Sequence, residues 1–378
     1  MTRASRPPPQ APAARDPVGP QSTDPLTDVG AAVLPASDAV VVLRELGGEL
    51  TLLLDRTRAS FSLGSGVPGQ VDLMVPRQYV SRLHAIVERD AHWLVVTNRS
   101  QNGTYFGGRR EERSPVKAGQ AFMVGKTELL ALDDHLVKLR GALLWFLGFD
   151  AQRAVDLALM EIASELQPPL VLTGPRGSEP ELLASEIHRA SPRRDLPFEI
   201  LPAGAPSAAL EAVIARADGG TLFVDLRPLR DRKAGALAAA LFDRAAGCRA
   251  IIAAPTLESA RGTLGGRGGH LTAIQTPPIA ERKPDVRALL DALLGEHGRH
   301  RVAELPPLRQ VDVCEFDWPD NHEDLRRNAL RLHAYLDAGR NQRAAARALG
   351  VDVTSLGAAL ARIGAIARRG SSEGSDVE

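Results

Sequence analysis

The sequence predicts a chain of several unlike domains: a stretch of short β-strands, an α/β domain with the outline of a phosphate-binding loop, and an all-α helix-turn-helix. Three observations predict it. Short β-rich runs at residues 80–87, 93–97 and 122–125 are separated by Gly and Asn. A buried-strand run at 170–173 leads through a glycine-containing loop into a helical stretch at 182–189. Small residues at 341–349, then Gly350 and a second helical pattern at 354–363, give two helices joined by a tight turn.

Composition bounds the function. The 378 residues, 44% hydrophobic, suffice for two or three domains with cores. Forty-six basic residues balance 46 acidic ones, so no global field draws the chain to nucleic acid or membrane and any basic function is local. Cys248 and Cys314 are too isolated for a metal-ligand cluster or a disulfide framework, which fits a reducing compartment. The apolar run at 141–148 is too short to span a bilayer, and the N-terminus lacks a signal-peptide core. A cytoplasmic protein with no membrane partner is expected.

Residues 1–38, rich in Pro and Ala, read as a disordered tail. Thr23 and Thr27 stand in it beside Asp24 and Asp28.

Residues 39–134 carry the β-rich runs and the most specific motif. Arg82 offers a guanidinium fork, Ser81 a short hydroxyl and Asn102 an amide, a donor set that suits phosphate oxygens. Phosphothreonine carries nearly two negative charges, so one Arg among neutral donors can prefer it to threonine. Ser-Arg-x-His at 81–84, Ser-x-Asn-Gly-Thr at 100–104 and Gly-Gln-x-Phe-x-Val-Gly at 119–125 together resemble the forkhead-associated (FHA) domain over about residues 40–133. The resemblance implies a β-sandwich whose end loops bind phosphothreonine peptides. Ser81 and Arg82 would face the phosphate, Asn102 would bond the peptide backbone with Thr104 in the same contact set, and Gly64, His84 and Gly103 would brace the loops. The implied partner is a phosphothreonine protein, the substrate of a Ser/Thr kinase. The family's usual Gly-Arg before the first loop reads Gly64-Ser65 here, so one phosphate-contacting arginine is absent.

Residues 135–168 are expected to be a linker followed by a helix at 150–166, where Val155, Leu159, Ile162 and Leu166 repeat at helical spacing. Residues 169–300 then form the α/β domain. Gly174 and Gly177 keep the outline of a P-loop, but Glu179 stands where the second glycine belongs and Pro180 where the phosphate-reaching lysine belongs. Glu179 repels phosphate, and Pro180 has no amide to donate.

Several phrases in order resemble the AAA+ domain of bacterial sigma-54-dependent activators over about residues 150–335. They include 187–193, 217–225, 251–254, 277–282 and 318–321. Against that family Asp225 remains in the Walker B strand, while the following glutamate reads Leu226 and the next sensor asparagine reads Thr256. The sensor arginine beside Trp318 reads Glu323, and residues 199–216 are too few for the loop that touches the sigma factor. The expectation is a catalytically dead ATPase that takes no cofactor, with a lid remnant at 301–338.

Residues 339–369 resemble the Fis-type DNA-binding module that closes the same family. The DNA-contact candidates are Arg343, Arg347, Thr354, Ser355 and Arg362, helped by Arg368 and Arg369 and opposed by Asp352. A disordered tail at 370–378 ends the chain. The functional expectation is a regulator that couples phosphothreonine recognition to DNA binding without ATP hydrolysis. A signalling adaptor that binds no DNA is the alternative, and an active sigma-54 activator is disfavoured by Pro180 and Leu226. Association with itself or with AAA+ activator subunits is compatible with this reading.

Overall fold

A computed structural model describes residues 38–164, 169–201, 207–227, 247–264 and 271–367. The two tails, apart from Asp38, lie outside these residues, as do Thr23, Thr27, Leu166, Arg368 and Arg369.

The β-rich region folds into two sheets. One joins β1 (Val42–Glu45), β2 (Thr51–Leu53), β7 (Thr104–Phe106), β8 (Arg109–Arg110), β10 (Ala121–Val124) and β11 (Thr127–Leu132) in the order β2-β1-β11-β10-β7-β8. The other joins β3 (Ser60–Gly64), β4 (Leu73–Met74), β5 (Ala85–Asp90), β6 (Trp93–Asn98) and β9 (Arg113–Val116) in the order β4-β3-β5-β6-β9. Alternation drives the packing: in β6, Leu94 and Val96 are fully buried while Trp93, Val95 and Thr97 are half-exposed. Leu43, Phe61, Leu63, Val87, Phe122 and Val124 complete the core between the sheets.

The run 80–87 was expected to be one strand. Of that run only residues 85–87 belong to β5; residues 80–84 form a loop fastened by the His84 ring, which bonds groups of two loops.

The expected linker is also corrected. Residues 134–163 form two helices, α1 (Asp134–Leu147) and α2 (Gln152–Ala163). Asp133 caps α1 by accepting the Leu136 amide at 2.8 Å, and Leu136, Leu139, Leu143 and Leu147 line its inner face. Both helices lie in one hydrophobic cluster with Val42, Leu130 and Leu132 of the sandwich and with Leu170, Phe223 and Ile251 of the next domain.

That domain has a parallel five-stranded sheet, ordered β13-β14-β15-β12-β16. Its strands are β12 (Leu170–Thr173), β13 (Phe198–Leu201), β14 (Thr221–Asp225), β15 (Arg249–Ala254) and β16 (Thr272–Gln275). The central strands β12 and β15 are buried throughout, as near-continuous apolar runs between helical layers should be. The described helices are α3 (Pro180–Ala190), α4 (Ser207–Arg216) and α5 (Leu257–Leu264).

The remainder is helical: α6 (Lys283–His297), α7 (Pro307–Glu315), α8 (Asn321–Asp337), α9 (Gln342–Leu349) and α10 (Val353–Arg362). All five contribute to one core around Trp318, Leu289, Leu332 and Leu360. The helical part therefore begins at α6, before the residue 301 expected. No single described helix is long and apolar enough to cross a membrane.

Candidate functional site

At one end of the sandwich, the loop before β5 meets the loop between β6 and β7. Gly64 at the end of β3 permits a close approach, since a Cβ there would collide with the Arg82 carbonyl. The adjacent Ser65 amide donates to the Ser81 carbonyl at 2.9 Å, and its hydroxyl to the Val80 carbonyl at 2.7 Å. Ser65 is thus turned back onto the loop and presents no cation.

His84 pins the two loops together. Its Nδ1 accepts the Ser81 amide at 3.1 Å, so the proton sits on Nε2, which donates to the Gly103 carbonyl at 3.0 Å. The ring is fully buried, and burial lowers its pKa, which keeps this neutral form. Gly103 has φ of 83°, a left-handed turn suited to glycine.

Ser81 and Asn102 then meet through Ser100, and Arg82 follows Ser81 in the chain. The Ser81 hydroxyl is 2.6 Å from the Ser100 hydroxyl, and Ser100 Oγ also accepts the Asn102 amide at 3.1 Å. Asn102 Nδ2 donates to the Tyr79 carbonyl at 2.9 Å. Tyr79 itself has φ of 66°, a conformation costly for a residue with a side chain. The exposed Arg82 guanidinium has no hydrogen bond or ion pair to a described residue.

Thr104 requires a correction. It is fully buried and its hydroxyl donates to Asn98 Oδ1 at 3.1 Å, so it braces the loop and cannot contact a ligand. Asn98 and Ser100 were missed as site residues. Their role appears only when the loop folds back, because Asn98 Oδ1 also accepts the Ser100 amide at 3.1 Å.

The glycine loop lies at the carboxyl end of β12. Pro175 and Pro180 have no amide, and the Ser178 amide is used by the Pro175 carbonyl at 3.2 Å. Glu179, left-handed with φ of 49°, faces Arg326 of α8 at 3.3 Å. The start of α8 rests on the loop: the Glu323 amide donates to the Gly177 carbonyl at 3.0 Å and Asn321 Nδ2 to the Arg176 carbonyl at 2.8 Å. A side chain at Gly177 would strike the Asp320 backbone, and Gly174 lies directly against Ser178.

Asp225 is held by the Arg227 guanidinium, which donates from Nη2 at 2.8 Å and from Nε at 3.0 Å, and by the Arg227 amide at 3.0 Å, and Arg227 reaches Ser178 at 3.3 Å. Leu226 is buried and carries no charge to this place. Among the described residues no group of three or more His, Cys, Asp and Glu could hold a metal ion.

In the C-terminal helices, Arg343 and Arg347 of α9 and Thr354 and Ser355 of α10 are exposed. Arg362 is not available in the same way, which corrects its expected role. Its Nη2 donates to the fully buried Asp324 at 2.8 Å, and its guanidinium lies over the Phe316 ring at 5.5 Å. Asp352 caps α10 by accepting the Ser355 amide at 2.9 Å, which gives this acidic residue a structural purpose.

Residues 61–125 match the family model for the FHA domain. The chain is 28% identical over 218 residues to a limonene hydroxylase of Geobacillus stearothermophilus, covering 45% of this chain and 40% of that protein. It is 28% identical over 210 residues to the Nif-specific regulatory protein of Azotobacter vinelandii, covering 44% and 40% respectively. It thus spans less than half the length of either relative. Among solved structures, NtrX from Brucella abortus in complex with ATP is 20% identical with a TM-score of 0.37, covering 52% of this chain and 64% of that one.

Proposed function

We propose that this chain, an FHA domain joined to an α/β region similar to sigma-54-dependent regulators and to a helical C-terminus, is a phosphothreonine-dependent regulator that works without hydrolysing ATP. The observation that carries this reading is the loop apex, where exposed Arg82, with no hydrogen bond or ion pair to a described residue, follows a Ser81 that meets Asn102 through Ser100, on a framework fixed by neutral His84. Such a site offers a charge-assisted grip to a dianion and hydrogen bonds to the peptide around it. The bound partner would be a protein phosphorylated on threonine by a Ser/Thr kinase.

The absence of hydrolysis is inferred from the glycine loop. Glu179 and Arg326 pair where phosphate would need to enter, the start of α8 bonds the loop's carbonyls, and Asp225 is committed to Arg227. Leu226 supplies no carboxylate to polarise water.

For output we favour DNA binding through α9 and α10, with Arg343 and Arg347 on phosphates and Thr354 and Ser355 toward bases. The engagement of Arg362 with Asp324 favours a second reading, an adaptor without DNA contact, because α10 then offers no free cation. Titration of labelled phosphothreonine and threonine peptides into the full chain and its Arg82→Ala variant tests the primary reading. Phosphate-dependent binding reduced at least about tenfold by the substitution is expected, since charge-assisted hydrogen bonds contribute about 1.5–3 kcal/mol. Equal affinity for both peptides would exclude it.

A further inference from the structure

Position 65 supplies no cation, yet the loop apex carries two basic side chains that nothing so far has used. Arg99 follows β6 directly. Its amide donates to the His84 carbonyl at 2.8 Å, and the next residue, Ser100, touches Ser81. Its side chain is exposed and makes no hydrogen bond or ion pair to a described residue. Lys126 stands on the turn between β10 and β11 with its ammonium 4.2 Å from the centre of the Tyr79 ring. Tyr79 is the residue held in a left-handed conformation, with its carbonyl bonded by Asn102 and a side-chain-free Gly125 packed against it. Lys126 is also exposed and pairs with no carboxylate of a described residue.

These two cations have different anchors. Arg99 is tied to the apex through the His84 carbonyl and its neighbour Ser100, which bonds both Ser81 and Asn102, and Lys126 through the Tyr79 ring. The backbone of Tyr79 occupies a conformation that ordinary folding would avoid, and the Asn102 bond helps to hold it. We infer that the site reads a phosphothreonine set in an acidic segment, with Arg99 meeting a carboxylate on one flank and Lys126 a carboxylate on the other. Arg82 and Ser81 remain the phosphate contacts. This inference rests on the phosphothreonine reading and specifies the ligand of the same site.

The test uses four phosphothreonine peptides: neutral flanks, aspartates on the N-terminal side, aspartates on the C-terminal side, and aspartates on both. Each is titrated into the full chain and into Arg99→Ala, Lys126→Ala and Lys126→Arg. Each acidic flank is expected to tighten wild-type binding by up to about fivefold, the upper end for an exposed ion pair. Arg99→Ala should abolish the preference for aspartate on one side, Lys126→Ala on the other, and Lys126→Arg should keep both. Wild-type affinities that ignore the flanks, or preferences that survive both alanine substitutions, would overturn the inference and leave the phosphothreonine reading intact. Wild-type protein that binds none of the four peptides would overturn both.

Discussion

A buried neutral imidazole decides the shape of the peptide end of the sandwich. His84 can satisfy the Ser81 amide and the Gly103 carbonyl together only in one tautomer, and burial disfavours the charged form. Gly64 is the second constraint, because the Arg82 carbonyl occupies the space of a side chain. Gly64→Ala is expected to lower stability by about 2 kcal/mol, in the range of local overpacking, and to weaken phosphopeptide binding by shifting Arg82. Urea unfolding and peptide titration of that variant check both effects; wild-type values would show that the loop is not held this way. That Ser81, His84 and Asn102 share one loop cluster was legible in the sequence because their spacing is a motif. Ser100, Asn98 and Tyr79 were not, since their partners lie 19, six and 23 residues away and meet only in the folded loops.

At the scale of elements, α1 was the least legible. Its Leu-rich inner face read as a short apolar run inside a linker, and nothing local disclosed that sandwich and sheet would supply its partners. The first turn of α8 was recognised by its Trp-Pro-Asp-Asn phrase, but its docking on the glycine loop is a tertiary fact. His322 sits in that turn, nearly fully buried, with Nε2 accepting from Arg282 at 3.0 Å. Burial and the neighbouring Arg282 charge lower its pKa to about 3. The unfolded chain, with a His pKa of about 6.5, therefore binds this proton more readily than the folded chain. Its contribution to stability is complete above about pH 6.5 and is lost as pH falls toward 3. At pH 4.5, two units below the unfolded value, the loss should be on the order of 3 kcal/mol, at about 1.36 kcal/mol per unit. His322→Gln, which can still accept from Arg282 but does not titrate, should flatten that part of the pH dependence. Denaturant unfolding at pH 7 and 4.5 makes the comparison, and identical slopes for both proteins would refute the assignment.

Across the whole molecule, buried contacts bind the sandwich to the α/β region. Asp156 of α2 is fully buried, accepts Arg140 at 2.9 Å and the Gly47 amide at 2.8 Å, and lies 3.7 Å from Arg44. These charges join three segments, β1 and its following turn, α1 and α2, across the stretch expected to be a linker and a helix. The α/β region and the paired C-terminal helices were legible as ordered phrases. Pro180 in the glycine loop could be read directly, but the Glu179–Arg326 pair and the bond of Arg362 to Asp324 required the fold. A binding domain joined through a buried seam to a closed glycine loop should respond to phosphopeptide and be indifferent to nucleotide. Calorimetric titration of a phosphothreonine peptide into the full chain, with and without magnesium ATP, examines both halves of that statement. Binding that requires the phosphate and has the same affinity in either solution is expected. Absence of phosphate-dependent binding, or an affinity that changes with ATP accompanied by its turnover, would refute it.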